Sequence, residues 1–541
     1  MSLLFREQKT ASGNRLSFLW LLLILAVVAA IRVRLLDMPL ERDEGEFAYG
    51  AQLMLHGVSI YKEAYIDALR LPGTCAAYAL TMALFGQTTA AIHTAALLVT
   101  LATAFFVFLL TWRICGNDAG AVAAGAYAIL SINPPSFGLA AHATHFVMLP
   151  AIAGIFLLQN LDERSSRKRL FFAGLLLGIA LVMKQTGAVF GVFAAAWVAY
   201  LEFISGQKSY RRLIWRLCWL ALGISLPFAL TCALIASAGD LPRFWFWIFE
   251  YGRAHASIIT FTKGLETAGG VVSQLIMAAP ALWGVGLAGI VLLFFQPSLR
   301  RWRFFILSFL LFSIAAVCPG WRGHYFIQLF PAMGLLAGVA FYGVSSVLER
   351  FKIPPAKAVL IATFFVILAT PLLQWGRIYF TYTPPDVARA IYPGNPFPEA
   401  VEIGRYLTGH CPPDGSVAIL GSEPEIYFYS HRRAATAHID TYPLMEPQPY
   451  AIDMQREMIR QIENANPDYV IFVHVPVSWL QYSDSNPSIF FWFQQYQRRH
   501  LRLVGLVEMH PDSLATYHWF NGNVTNVQST ADSWISIFQK R

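Results

Sequence analysis

The chain has 541 residues, 56% of them hydrophobic and 13% charged, with a formal net charge of +8 and a mean hydropathy of +0.50. Soluble globular chains are nearer a quarter charged, so the composition excludes a soluble protein of this size and points to a polytopic α-helical membrane protein. No nucleic-acid partner follows from the basic balance: residues 1–376 carry a net charge of +12 and residues 377–541 a net charge of −4, and basic loops between apolar runs report membrane orientation.

Eleven spans are predicted, near 16–36, 88–112, 118–133, 143–160, 170–183, 186–203, 213–237, 270–295, 303–318, 324–346 and 356–376. The first is read as an uncleaved span rather than a signal peptide, because its apolar run is long and Arg32 and Arg34 follow at once. Residues 71–86, LPGTCAAYALTMALFG, are read as a helix lying at the outer surface. A further crossing there would put the later basic loops outside. With that choice Arg6, Lys9 and Arg15, Arg113, RSSRKR at 164–169, Lys208 to Arg216, Arg300 to Arg303, and Arg350 to Lys357 fall on every second connection. That side is the cytoplasm by the positive-inside rule. The N-terminus is then inside and the C-terminus outside, in a multi-pass membrane protein.

The outer face gathers charges, histidines and aromatics: the loop of about 37–87 with RDEGEFAYG, the turn NPPSFGLAAHATH, the loop 241–264, the turn after Met183, and CPGWRGHY. In the first loop, Asp43 and Glu46 have the spacing of a capping box. Asp43 could cap a helix starting at Glu44. Equally, a carboxylate at the mouth of the helical bundle could act as a general base or hold a divalent cation. The residues alone leave both open. His142 and His145 could share a helical face at a metal site or bond to loop backbone. Lys184 is either a snorkelling lysine or a phosphate contact. Trp321, Arg322, His324 and Tyr325 are either an interfacial belt or a substrate contact.

The stretch from 377 onward changes character. TYTPPDVARAIYPGNPFPEA reads as a linker. Strands are expected at 416–421, 468–474 and over LRLVGLVEM, with helices over AVEIGRYL, PEIYFYS and MQREMIRQIENA. Residues 377–541 are therefore expected to form a soluble α/β domain on the outer face, and residues 1–376 the transmembrane domain. No Gly-rich nucleotide loop appears, and the six cysteines form no CxxC pair.

The order of a first span, then DEGEFAYGAQLMLHGVSIYKEAYIDALRLPG, then a short helix ending in FG resembles the first outer loop of the GT-C membrane glycosyltransferases. It is most similar to the protein O-mannosyltransferase and lipid A aminoarabinose transferase group, with its RgtA/B/C/D-like bacterial members. The matching residues are Asp43 and Glu44, Tyr49, the segment Gly57 to Tyr61, and Arg70-Leu71-Pro72, where the family has a lysine before proline. GIALVMKQTG and GWRGHYFIQLFPAMGLLAG extend the likeness to about residue 345. The resemblance implies a GT-C-like fold. It also implies transfer of a sugar, with inversion, from a polyprenyl-phosphate donor to a lipid, glycan or protein acceptor on the extracytoplasmic face. It makes Asp43 and Glu44 the catalytic candidates. Tyr49, Tyr61, Arg70, Lys184, Trp321, Arg322, His324 and Tyr325 become the substrate-binding ones, joined by Glu46 of the same acidic loop and by His142 and His145, which depart from the acid many relatives carry in that turn. A divalent cation stays open as cofactor. The competing reading is a transporter or flippase of lipid-linked sugars, against which stand the absence of an evident repeat and of acids in mid-span; a sensor using the outer domain is a third.

Overall fold

A computed structural model of the chain describes residues 15–65, 70–161, 166–204, 209–258, 260–318, 320–352, 356–510, 514–520 and 529–541. The basic residues Arg6, Lys9, Arg164 and Lys208 lie outside the described residues.

Every predicted span falls on helix. Among the described residues six helices are long and apolar enough to cross a membrane: α1 (Arg15–Arg34), Thr89–Cys115, Gln185–Ile204, Tyr210–Ser237, Phe330–Arg350 and Lys357–Gln374. Shorter apolar helices, Asn117–Leu130, Ala143–Leu158 and Arg167–Met183, pack among them. Small residues let them approach. A Cβ on Gly174 would lie 2.3 Å from the Leu220 carbonyl oxygen, and one on Gly223 would lie 2.2 Å from that of Phe171. Such contacts replace the hydrophobic driving force that is missing between helices in lipid.

The span expected at 270–295 is not one helix. Phe261–Ala278 and Pro280–Phe295 meet at 103°. Ala279 leaves the helical region at φ −152°, ψ 55°, and Pro280 cannot supply the amide that would continue the ladder. The outer segment 71–86 forms the helix Gly73–Phe85; its 13 residues reach only about 20 Å at 1.5 Å per residue, short of a crossing.

The C-terminal part carries a six-stranded sheet in the order β2-β1-β3-β6-β4-β5. β1 (Ser416–Leu420) pairs in parallel with β2 (Arg433–Ala434) and β3 (Tyr469–His474). β6 (Ser533–Lys540) lies antiparallel between β3 and β4 (Leu501–Met509), and β5 (Thr516–Trp519) closes the far edge. Ile419, Ile471 and Ile537 align across β1, β3 and β6 and are fully buried. The expected linker is ordered: a Thr383–Asp386 capping box starts the helix Pro384–Ile391, and Tyr392 and Phe397 are buried. Trp247 and Tyr251, from the outer loop 241–264, pack against the sheet domain with Leu444, Met454 and Met458. Tyr251 also bonds to Glu446 at 2.6 Å.

Between the helices and the sheet lies α2 (Arg42–Leu55), the helix of the RDEGEFAYG stretch. Its residues Glu44 to Leu53 are all buried. One core joins it to the helix Gly73–Phe85 on one side and to β1 and β3 on the other.

Candidate active site

The capping box that starts α2 is set two residues earlier than expected. Glu41 is the N-cap: its carboxylate accepts from the Glu44 amide at 3.0 Å, and the Glu44 carboxylate accepts from the Glu41 amide at 3.1 Å. Asp43 therefore does not cap the helix. It sits on the first turn and faces a cluster.

Glu44 turns the other way. One carboxylate oxygen accepts from His93 Nε2 at 3.0 Å and from the Ala141 amide at 2.5 Å. Burial alone would raise its pKa, but His93, then the Ala141 N–H, hold it below the ordinary value. Glu44 thus anchors α2 to the helix Thr89–Cys115 and to the 131–142 loop, and acts on the Asp43 cluster only through its charge, felt by His142.

That loop is fixed by groups that tie down its carbonyls. Arg32, read as a flank of the first span, is buried and donates to Ser131, Gly138 and Leu139 oxygens. Tyr379 bonds to the Ile132 oxygen at 3.0 Å and Tyr78 to that of Ala141 at 2.6 Å. The loop delivers His142 as the residue before the helix Ala143–Leu158. The partner of His142 is not His145, as i,i+3 spacing suggests, but His324: their rings stack at 4.4 Å and 14°. His145 is buried inside the bundle with neither ring nitrogen hydrogen-bonded.

Asp43 Oδ2 lies 3.9 Å from both His142 Nδ1 and His324 Nε2. Its Oδ1 accepts from Arg70 at 2.7 Å, and Arg70 also binds Glu46. Burial would push the Asp43 carboxyl up; Arg70, then His324, His142 and Lys184, outweigh it and hold the group well below the usual carboxylate range. Burial favours the neutral form of both imidazoles, pushing His142 down to about 4 against the pull of Asp43 and Glu44 and holding His324 well below its ordinary value. Asp43 is ionised beside two neutral histidines, and its side chain is 18% exposed where theirs are 2% and 9%.

Lys184 and Tyr325 border the cluster, the ammonium 3.7 Å from the ring centre. The charge of Lys184 is felt by Asp43, His142 and His324. Arg322 is exposed beside them, and its charge reaches His324 on one side and Tyr442 and Tyr482 of the sheet domain on the other. Trp321 is half-buried at φ +51°. Two expected contacts lie elsewhere. The Tyr49 hydroxyl accepts from the Ala434 amide at 2.8 Å and its ring packs on Tyr427, so it joins α2 to the sheet. Tyr61 is buried edge-on against Phe244.

Sequence reasoning missed Glu41, His93 and Arg42. Glu41-x-x-Glu44 repeats the spacing of Asp43-x-x-Glu46, so spacing alone could not select between them. His93, a lone histidine at the start of an apolar run, was the available signal for a buried partner.

Among the described residues, Asp43, His142 and His324 form the group whose ligand atoms converge on one point, all within 4.8 Å of one another. His142 Nδ1 is buried with no hydrogen-bond partner. Two imidazoles and a carboxylate suit a divalent first-row cation with open positions.

Residues 72–235 match the family described as dolichyl-phosphate-mannose-protein mannosyltransferase. The matched stretch holds His93, His142 and Lys184 and begins after Asp43. Among curated proteins none matches significantly. Among solved structures, ArnT from Cupriavidus metallidurans is similar at a TM-score of 0.54 and 15% identity, over 84% of this chain and 93% of that one, both in the apo state and bound to undecaprenyl phosphate. The archaeal oligosaccharyltransferase AglB from Archaeoglobus fulgidus, in complex with an inhibitory peptide and a dolichol-phosphate, is similar at 0.53 and 11% identity, over 94% of this chain and 75% of that one. The likeness to these structures lies in the fold, and the family match covers the helices that carry His142 and Lys184. By the family match over residues 72–235 and by fold, this chain is similar to the dolichyl-phosphate-mannose-protein mannosyltransferase family and to ArnT and AglB.

Proposed function

We propose that the chain transfers a sugar from a polyprenyl-phosphate donor to an acceptor hydroxyl, with inversion, on the extracytoplasmic face of the membrane. The observation that carries this reading is Asp43 paired with Arg70 and facing the stacked rings of His142 and His324, with the Lys184 charge reaching all three. Two similar structures add support: ArnT is solved with undecaprenyl phosphate and AglB with dolichol-phosphate. The orientation rests on the alternation of basic loops, and the domain division at about residue 376 on the sheet that follows.

The acceptor oxygen attacks the anomeric carbon as the bond from that carbon to the phosphate oxygen breaks. The polyprenyl phosphate leaves with the bonding pair, its charge held by Lys184 and Arg322. The acceptor proton passes to the Asp43 carboxylate. Arg70 lowers the basicity of Asp43, so the carboxylate first orients the hydroxyl and receives the proton as the new bond forms. A divalent cation held by Asp43, His142 and His324 would supply Lewis acidity there.

The acceptor class and the sugar are left open by these residues. The test is transfer of radiolabelled sugar from a panel of polyprenyl-phosphate donors to membrane-extract acceptors, by purified protein in liposomes. Labelled product is expected. Translocation of donor without product would favour the flippase reading instead.

A further inference from the structure

α2 presents three faces. Asp43, Glu46 and Phe47 meet Arg70, and Glu44 meets the membrane helices. Arg42, Gly45, Tyr49 and Gln52, at i, i+3, i+7 and i+10, share the third face, which the proposed chemistry does not use. It is seated on the sheet domain. Tyr49 takes the Ala434 amide, Gln52 donates to the Phe428 oxygen at 3.2 Å, and a Cβ on Gly45 would lie 2.5 Å from the Glu425 amide nitrogen.

Arg42, the chain neighbour of Asp43, is gripped most fully. Its Nε donates to the Ser422 oxygen at 2.5 Å; Nη2 lies 3.3 Å from Asn395 Oδ1 and 3.5 Å from Glu423 Oε1. The guanidinium lies over Tyr442 at 4.8 Å and over Phe397 at 5.6 Å from the ring centres. The seat is itself braced: Ser478 Oγ donates to Glu423 at 2.7 Å and accepts from the Ser422 amide at 2.9 Å.

Ser422 and Glu423 follow β1, and Ser478 follows β3. These are the loops at the carboxyl ends of adjacent parallel strands, where open α/β sheets hold their ligands. Here that edge holds an arginine of the same chain. We propose that Arg42 is a positioning residue, through which the C-terminal sheet domain holds its own membrane domain as a ligand and fixes Asp43 in register with His142 and His324. This rests on the reading of Asp43 as the group that meets the acceptor.

The test uses the full chain in detergent or liposomes. In the double variant Arg42→Met/Glu423→Gln the cation and the carboxylate it bonds are removed together. Arg42→Lys keeps charge but not the planar fork. For the double variant, kcat is expected to fall about 10- to 100-fold, as for a small misplacement of a reacting group. KM for the polyprenyl-phosphate sugar should stay within about 2-fold, since the cations are untouched. Arg42→Lys should fall between. Amides of residues 44–47 should exchange hydrogen faster in the double variant, while those of β1 and β3 keep their protection. Wild-type kcat, or wild-type exchange across 44–47, would overturn the proposal. If no donor is turned over even by the wild type, the functional reading fails, and the exchange measurement still decides whether Arg42 holds α2.

Discussion

Asp43 and Glu44 are chain neighbours of the same chemistry with opposite surroundings. Glu44 is fully buried with His93 and the Ala141 amide as partners. Removing it leaves those donors unpaired, so Glu44→Ala is expected to cost about 3–5 kcal/mol, read as lowered thermal stability. Asp43→Asn removes one of the two carboxylates on Arg70 but keeps the shape and leaves Glu46 in place, so its loss of stability should be smaller than that of Glu44→Ala. His142 gives a pH signature. Its folded pKa of about 4 lies below the ordinary value, so the unfolded chain binds the proton first and stability falls as pH drops from about 6.5 toward 4. The size is about 3 kcal/mol over that interval. His142→Gln should flatten the melting temperature against pH there; an unchanged slope would contradict the buried neutral imidazole. That carboxylates and histidines gather on one side was legible from the outer loops. Which carboxylate caps and which faces the cluster was not, because two acid pairs of equal spacing overlap and only the long-range partners His93 and Ala141 break the tie.

α2 is buried on every face, which a helix of its composition achieves only when a second layer covers it. That burial makes Gly45 a contact point. Gly45→Ala gains about 1 kcal/mol of helix propensity, but its Cβ would meet backbone at 2.5 Å, and overpacking of about 1–3 kcal/mol should dominate. A lowered unfolding temperature with slower hydrogen exchange nowhere in α2 is expected; a stabilised protein would show that helix and sheet part easily. The apolar runs were legible as helices because length and hydropathy act locally. The bend at Ala279–Pro280 was signalled by its proline but overridden by the apolar run around it. β1, β3 and β4 were legible as apolar strands. β2 has two residues, and β5 is a short edge strand with Trp519 and Thr516 exposed, so neither has a core-facing pattern to read. The linker around 381–400 carried turn residues in sequence, yet Tyr392 and Phe397 bury it.

At the scale of the whole molecule, a polytopic helical bundle and an α/β sheet close on one helix that belongs to neither alone. The multi-pass membrane character followed from composition, and the family resemblance from motif order and sidedness rather than from any single motif. The docking of Trp247, Tyr251 and Arg42 onto the sheet was not legible, since aromatic and basic residues near a span read equally well as an interfacial belt. Lys184→Ala and Arg322→Ala are expected to weaken binding of polyprenyl phosphate, by about tenfold each if each removes a charge-assisted contact of about 1.4 kcal/mol. Unchanged affinity in both would place the donor phosphate elsewhere. The central claim is that Asp43 meets the acceptor, and the most direct measurement is sugar transfer by the wild type and by Asp43→Asn, side by side in the same liposomes. Transfer by the wild type with a loss of at least about 100-fold in the variant, at a temperature where both are folded, is the predicted result. Equal transfer by both would contradict it and return RDEGEFAYG to a structural role.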